Sequence, residues 1–98
     1  MTRIEERWAI ADRAALTWRE WDGEFVVYDD CSGQVHRLEG LAAEIFETLL
    51  AAPTDRTGLA IQVTAALEVE QTPEIEDAID TVLRELLISG VLAPVAAA

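Results

Sequence analysis

The chain has 98 residues, 51% of them apolar, with 19 acidic and seven basic side chains for a formal net charge of -12. That length holds one domain with a modest core, and the apolar share is too high for a disordered acidic tail. The charge argues against nucleic acid and anionic lipid as partners, and with every cation an Arg there is no lysine for Schiff-base or phosphate-loop chemistry.

A single Cys cannot form an internal disulfide, so a reducing, cytoplasmic setting is expected. No 18-residue apolar run spans a membrane, and residues 1–7 lack the apolar stretch of a signal peptide. The chain reads as one domain over 1–98. Residues 1–13 form an N-terminal arm, 14–38 a set of strands, 41–92 three helices and 93–98 a frayed small-residue tail.

Asp22-Gly23 suits a two-residue type I′ hairpin, because both central positions of that turn need positive φ. This register sets Trp21 opposite Glu24, Arg19 opposite Val26, Trp18 opposite Val27 and Thr17 opposite Tyr28. Strand alternation then puts Leu16, Trp18, Phe25 and Val27 on a core face. Thr17, Arg19, Trp21, Val26 and Tyr28 lie on an outer face. The turn-rich Asp29-Asp30-Cys31-Ser32-Gly33 leads into a short third strand, Gln34 to Leu38, with His36 and Leu38 inward and Val35 and Arg37 outward.

A first helix follows from the stripe Leu41, Ala42, Ile45, Phe46 and Leu49, and ends before Pro53. Thr57 is the expected N-cap of a second, with Leu59, Val63, Ala66 and Leu67 inward. Thr72 is the expected cap of a third, with Pro73 at its first position and Glu74 and Glu76 in its first turn. Ile75, Ala78, Ile79, Val82, Leu83, Leu86 and Leu87 form its apolar arc. Gly90 is its stop, with Leu92 packing back. The fold class is α+β: a winged-helix-like, three-stranded antiparallel meander followed by three helices.

The chemistry-bearing residues are few. His36 and Cys31 are five apart across a turn and do not form a nucleophilic pair; the plain expectation is a loop cysteine and a half-buried His hydrogen-bonded near the first helix. No zinc-ligand spacing occurs, and Asp29-Asp30 reads as a solvated turn, so neither metal nor cofactor is expected. A DNA-reading third helix would present Glu74, Glu76, Asp77, Asp80 and Glu85 to phosphate, which disfavours it. The chain is not expected to be an enzyme.

Peptide binding fits better. An unpaired edge at Gln34–Leu38 is a template for an added strand. Leu83 and Leu87 make a shoulder beside Glu76 and Asp80, which is either covered by a second element or left for a ligand. The acidic border favours a basic ligand and salt-sensitive binding. Trp21, Val26 and Tyr28 are a candidate second interface, unless the segment around Trp8 and Ile10 covers them. Exposed edges and outer aromatics permit a homodimer without requiring one.

The run from Trp18 through Trp21-Asp22-Gly23-Glu24 to Tyr28-Asp29, then Ser32-Gly33, His36, Leu38, Leu41-Ala-Ala-Glu-Ile45 and Leu49-Leu50, resembles the PqqD-like peptide chaperones, or RiPP recognition elements. The Trp-x-x-Trp-Asp-Gly-Glu part is similar to the branch found beside an HPr-kinase-related protein. The resemblance spans residues 8–92 and implies three strands and three helices. It implies a non-catalytic adaptor that binds the leader segment of a ribosomally made precursor peptide and presents it to a modifying enzyme. The leader would add beside Gln34, Val35, His36, Arg37 and Leu38 and lie against Glu76, Asp80, Leu83, Arg84 and Leu87. The rival reading is a partner subunit or dimerisation module working through Trp21 and Tyr28. One departure is Glu39-Gly40, where the family often has Asn capping the first helix; Gly serves as a cap nearly as well.

Overall fold

The computed structural model describes residues 7–11 and 15–95. In chain order these form β1 (Arg7–Ile10), β2 (Leu16–Trp21), β3 (Glu24–Asp29), β4 (Val35–Leu38), α1 (Leu41–Ala51), β5 (Thr54–Asp55), α2 (Arg56–Leu67), α3 (Pro73–Ser89) and β6 (Leu92–Val95). The expected α+β class and the meander are present, as an antiparallel sheet in the order β2-β3-β4. A second antiparallel sheet, β5-β1-β6, was not anticipated.

The hairpin register is the expected one, Trp21 opposite Glu24 through Leu16 opposite Asp29. Asp22 and Gly23 take φ of 49° and 78°, the positive pair a type I′ turn demands. Leu16, Phe25 and Val27 are buried and Trp18 half-buried on the inner face. There Phe46 of α1 meets the sheet. Its ring lies 5.6 Å from Trp18 in an edge-on contact and 5.0 Å from Phe25. Such geometries suit the quadrupoles of aromatic rings.

Two expectations about the ends of the chain are corrected. The N-terminal arm contains a strand, with Arg7 to Ile10 running antiparallel to Val95 to Leu92. The tail expected to fray is therefore ordered over Ala93–Val95; residues 96–98 lie outside the described set. Each strand satisfies the other's backbone groups, which neither end's local sequence reveals.

The helices differ in detail. Buried positions on α1 are Ala43, Ile45, Phe46 and Leu49, while Leu41 and Ala42 are half-buried. The helix is covered by α2, α3, β1 and β4, so its buried arc is centred elsewhere than the stripe suggested. Asp55, not Thr57, caps α2, its carboxylate accepting from the Gly58 N–H at 2.8 Å. Asp is at least as good a cap as Thr, and using it starts the helix earlier. Leu59, Ala60, Val63 and Thr64 are buried on α2, whereas Ala66 is exposed and Leu67 half-buried. The buried Thr64 hydroxyl donates to the Ala60 carbonyl at 2.6 Å, which satisfies it.

Thr72 caps α3 as expected, accepting from Ile75 N–H. At the far end Gly90 donates to Leu87 O and Val91 to Leu86 O, the paired bonds of a Schellman motif. The buried residue just past the stop is thus Val91, while Leu92 begins β6 opposite Ile10. Leu83 is buried with Ile79 and Leu86, whereas Ile75, Ala78, Val82 and Leu87 are half-buried.

Gly40 caps α1 without any side-chain bond, at φ 58° and ψ -126°. Glycine enters this region freely and other residues are strained there. The conformation itself therefore selects Gly over the Asn common at this place in the family it resembles. Gly40→Ala is expected to lose about 1–3 kcal/mol of unfolding free energy in urea titrations, with the fold otherwise unchanged.

Candidate functional site

The hydrogen-bond phase of β4 decides what its free edge offers. Asp29 N–H donates to Gln34 O at 2.9 Å, and the register continues with Val27 opposite His36 and Phe25 opposite Leu38. Antiparallel pairs alternate between bonded and non-bonded. His36 and Leu38 therefore spend their backbone groups on β3, while Val35 and Arg37 turn theirs away from it. No other described strand pairs on that side. The edge is a row of free donors and acceptors.

Side chains on β4 divide as the alternation predicts. Leu38 is buried and His36 half-buried inward, while Val35 is exposed beside Tyr28 and Arg37 beside Val26. Arg37 donates to Glu24 at 2.8 Å, and that hydrogen bond is the main cause holding the Glu24 carboxyl below its ordinary value. The hydrogen bond expected for His36 is absent among the described residues: its Nε2 is buried and unpartnered. Cys31 lies exposed in the turn. The Asp29 carboxylate accepts from Cys31 N–H at 2.9 Å and Ser32 N–H at 3.3 Å, so it organises the turn instead of being merely solvated.

On the outer sheet face Trp21 is 59% exposed, Tyr28 39% and Val35 59%. The described part of the N-terminal segment does not cover them. β1 pairs with β5 and β6, Ile10 joins the core, and Trp8 faces α3. The sequence missed Val35 as a member of this patch, although its pairing with Tyr28 follows from continuing the hairpin register across the turn.

The shoulder of α3 is partly corrected. Leu83 is 3% exposed and belongs to the core, so Leu83→Asp would unfold the domain instead of selectively blocking a ligand. Its edge nonetheless lines an open pocket of about 430 Å³, together with Asp80, Arg84 and Leu87 of α3, Trp8 of β1 and Arg56 of α2. Trp8 and Arg56 were not foreseen, since only tertiary packing brings them to α3. None of residues 34–38 lines this pocket, so the strand residues and the α3 residues singled out in the sequence do not share it.

Charge at the pocket differs from the acidic border read along the helix. Arg56 donates from Nε to Asp80 Oδ1 at 2.5 Å and from Nη2 to Oδ2 at 2.7 Å, and its Nη1 lies 3.7 Å from Glu76. The Arg56 hydrogen bonds hold the Asp80 carboxyl below its ordinary value against partial desolvation, helped by the Arg56 and Arg84 charges. A folded-state value below the unfolded one contributes stability above about pH 3.9, which is lost as pH falls through the folded value. Wild type is thus expected to lose stability below about pH 4 that Asp80→Asn does not lose, in urea midpoints taken at pH 7 and pH 3. For so exposed a pair the difference stays within about 1 kcal/mol.

The sequence matches no family model and no curated protein. The fold is shared with a solved structure of TbiB1 in complex with the TbiA(beta) leader peptide. That likeness has a TM-score of 0.74 at 21% identity, and covers 91% of this chain and 99% of TbiB1. Among the described residues no helix is long and apolar enough to cross a membrane, and no cluster of His, Cys, Asp or Glu could hold a metal ion.

Proposed function

We propose that this chain is a non-catalytic RiPP recognition element that binds the leader segment of a precursor peptide as a strand added to β4. The observation that carries the reading is the free backbone edge at Val35 and Arg37, on a fold that in TbiB1 is found with a leader peptide. Backbone bonds supply affinity and side-chain contacts supply choice of sequence. The bound leader is then presented, in the cytoplasm, to a modifying enzyme, in this branch one related to HPr kinase. Ordering the flexible leader limits the affinity.

Titrating the 15N-labelled chain with the leader segment of a ribosomally made precursor peptide tests this. Amide shifts are expected to centre on Val35 to Leu38. Shifts confined to Trp21, Val26 and Tyr28 would instead support the partner-subunit reading, which the exposure of Trp21 and Tyr28 favours. No shifts at all would sink both.

A further inference from the structure

We propose that the pocket between β1, the start of α2 and α3 takes a large apolar side chain followed directly by a carboxylate, so that the bound peptide is acidic next to its anchor. The peptide nature of the ligand rests on the function proposed above; the anchor and its charge rest on the pocket alone.

The pocket's apolar lining is Trp8, Leu83 and Leu87. Leu83 is buried while Trp8 and Leu87 are half-buried, so the cavity has a fixed apolar base and partly open walls. An indole wall favours an apolar or aromatic guest, which it meets by offset or edge-on stacking. At about 430 Å³ the space admits one large side chain and not a folded segment.

Its polar lining is two guanidinium groups against one carboxylate. The carboxylate, Asp80, has both oxygens bonded to Arg56, which commits its charge to that guanidinium while each oxygen keeps a second lone pair. Arg84 is exposed and makes no hydrogen bond or ion pair among the described residues. Its fork of N–H donors suits a carboxylate. A Lys or Arg in the same place would meet the like charge of Arg84, Arg56 being matched by Asp80 and Glu76. The net charge of -12 therefore misleads at this spot. The carboxylates along α3 suggested a basic ligand, but Arg56 packs onto Asp80 and Glu76, which leaves the Arg84 guanidinium as the group at the pocket that can meet an anion.

Three blocked dipeptides separate the components: acetyl-Phe-Asp-amide, acetyl-Phe-Asn-amide and acetyl-Phe-Lys-amide. The full chain would be titrated with each while following the Trp8 indole N–H, assigned by Trp8→Phe, and the Arg84 Nε–H. The Asp peptide is expected to move both signals, with half-saturation about fivefold lower than the Asn peptide, since a charge-assisted bond outweighs a neutral one. The Lys peptide should be weakest. Arg84→Gln should erase the preference for Asp over Asn while the Trp8 signal still responds. Adding salt should shrink the preference, because the pair is exposed.

Equal binding of all three peptides overturns the carboxylate assignment. Failure of every peptide to move Trp8 overturns the pocket as a site. A leader peptide that shifts the Val35 and Arg37 amides but leaves Trp8 and Arg84 unmoved also overturns the pocket, and leaves strand addition standing. Loss of both responses to that leader overturns the function itself.

Discussion

Arg37→Pro is expected to weaken leader-peptide binding by at least about tenfold while leaving the domain folded. The β3–β4 ladder uses the backbone groups of His36 and Leu38, and the Arg37 N–H points away from β3. Proline there removes a donor from the free edge and puts a ring where an added strand must approach. One hydrogen bond accounts for about 0.5–1.5 kcal/mol, and steric exclusion of the neighbouring strand adds to it. The backbone of an edge strand accommodates proline, and His36 before it is already extended, as the residue preceding proline prefers. Losing the exposed Arg37–Glu24 pair changes stability little. Calorimetric titration with the leader peptide, alongside Arg37→Ala to isolate the side chain, measures the effect. His36→Pro should behave differently, because it breaks the ladder itself and unfolds the sheet. Unchanged affinity in folded Arg37→Pro would exclude strand addition at β4.

Phe46→Ala should produce the largest loss of stability of any single truncation, about 3–5 kcal/mol. Phe46 is fully buried and touches both Trp18 and Phe25, so its ring joins α1 to the meander. Removing it leaves a cavity that the sheet and helix cannot close without shifting together. A domain of this size has only about 5–15 kcal/mol in total, so much of it would be lost. At about 4–8 °C per kcal/mol the thermal midpoint should fall by about 12–40 °C. Urea unfolding with an unchanged slope confirms the figure, and a loss under about 1 kcal/mol would mean the core is not organised around this ring.

Local chemistry was legible wherever it acts within a few residues. The positive φ demanded at Asp22 and Gly23 made the hairpin and its register readable, and the same alternation put Val35 and Arg37 on the outward face. Thr72 with Pro73 and the Gly90 stop bounded α3 for the same reason. Legibility failed where two local solutions compete. Asp55 and Thr57 can both cap α2, and the docking of the preceding strand selects Asp55. It failed again on α3, where periodicity shows that Leu83 is apolar but not whether another element covers it.

By itself the sequence determined the class of fold, the meander with its edge strand, and the candidate backbone edge for a ligand, because strand alternation and turn geometry are short-range. Only the tertiary structure decided that Arg7–Ile10 pairs with Leu92–Val95, that Trp8 and Arg56 complete a pocket on α3, and that Asp80 is already neutralised. These contacts join segments far apart in the chain, and the patterning of either segment is equally compatible with solvent. Net charge is a sum over the chain, whereas recognition depends on which charges packing leaves unpaired.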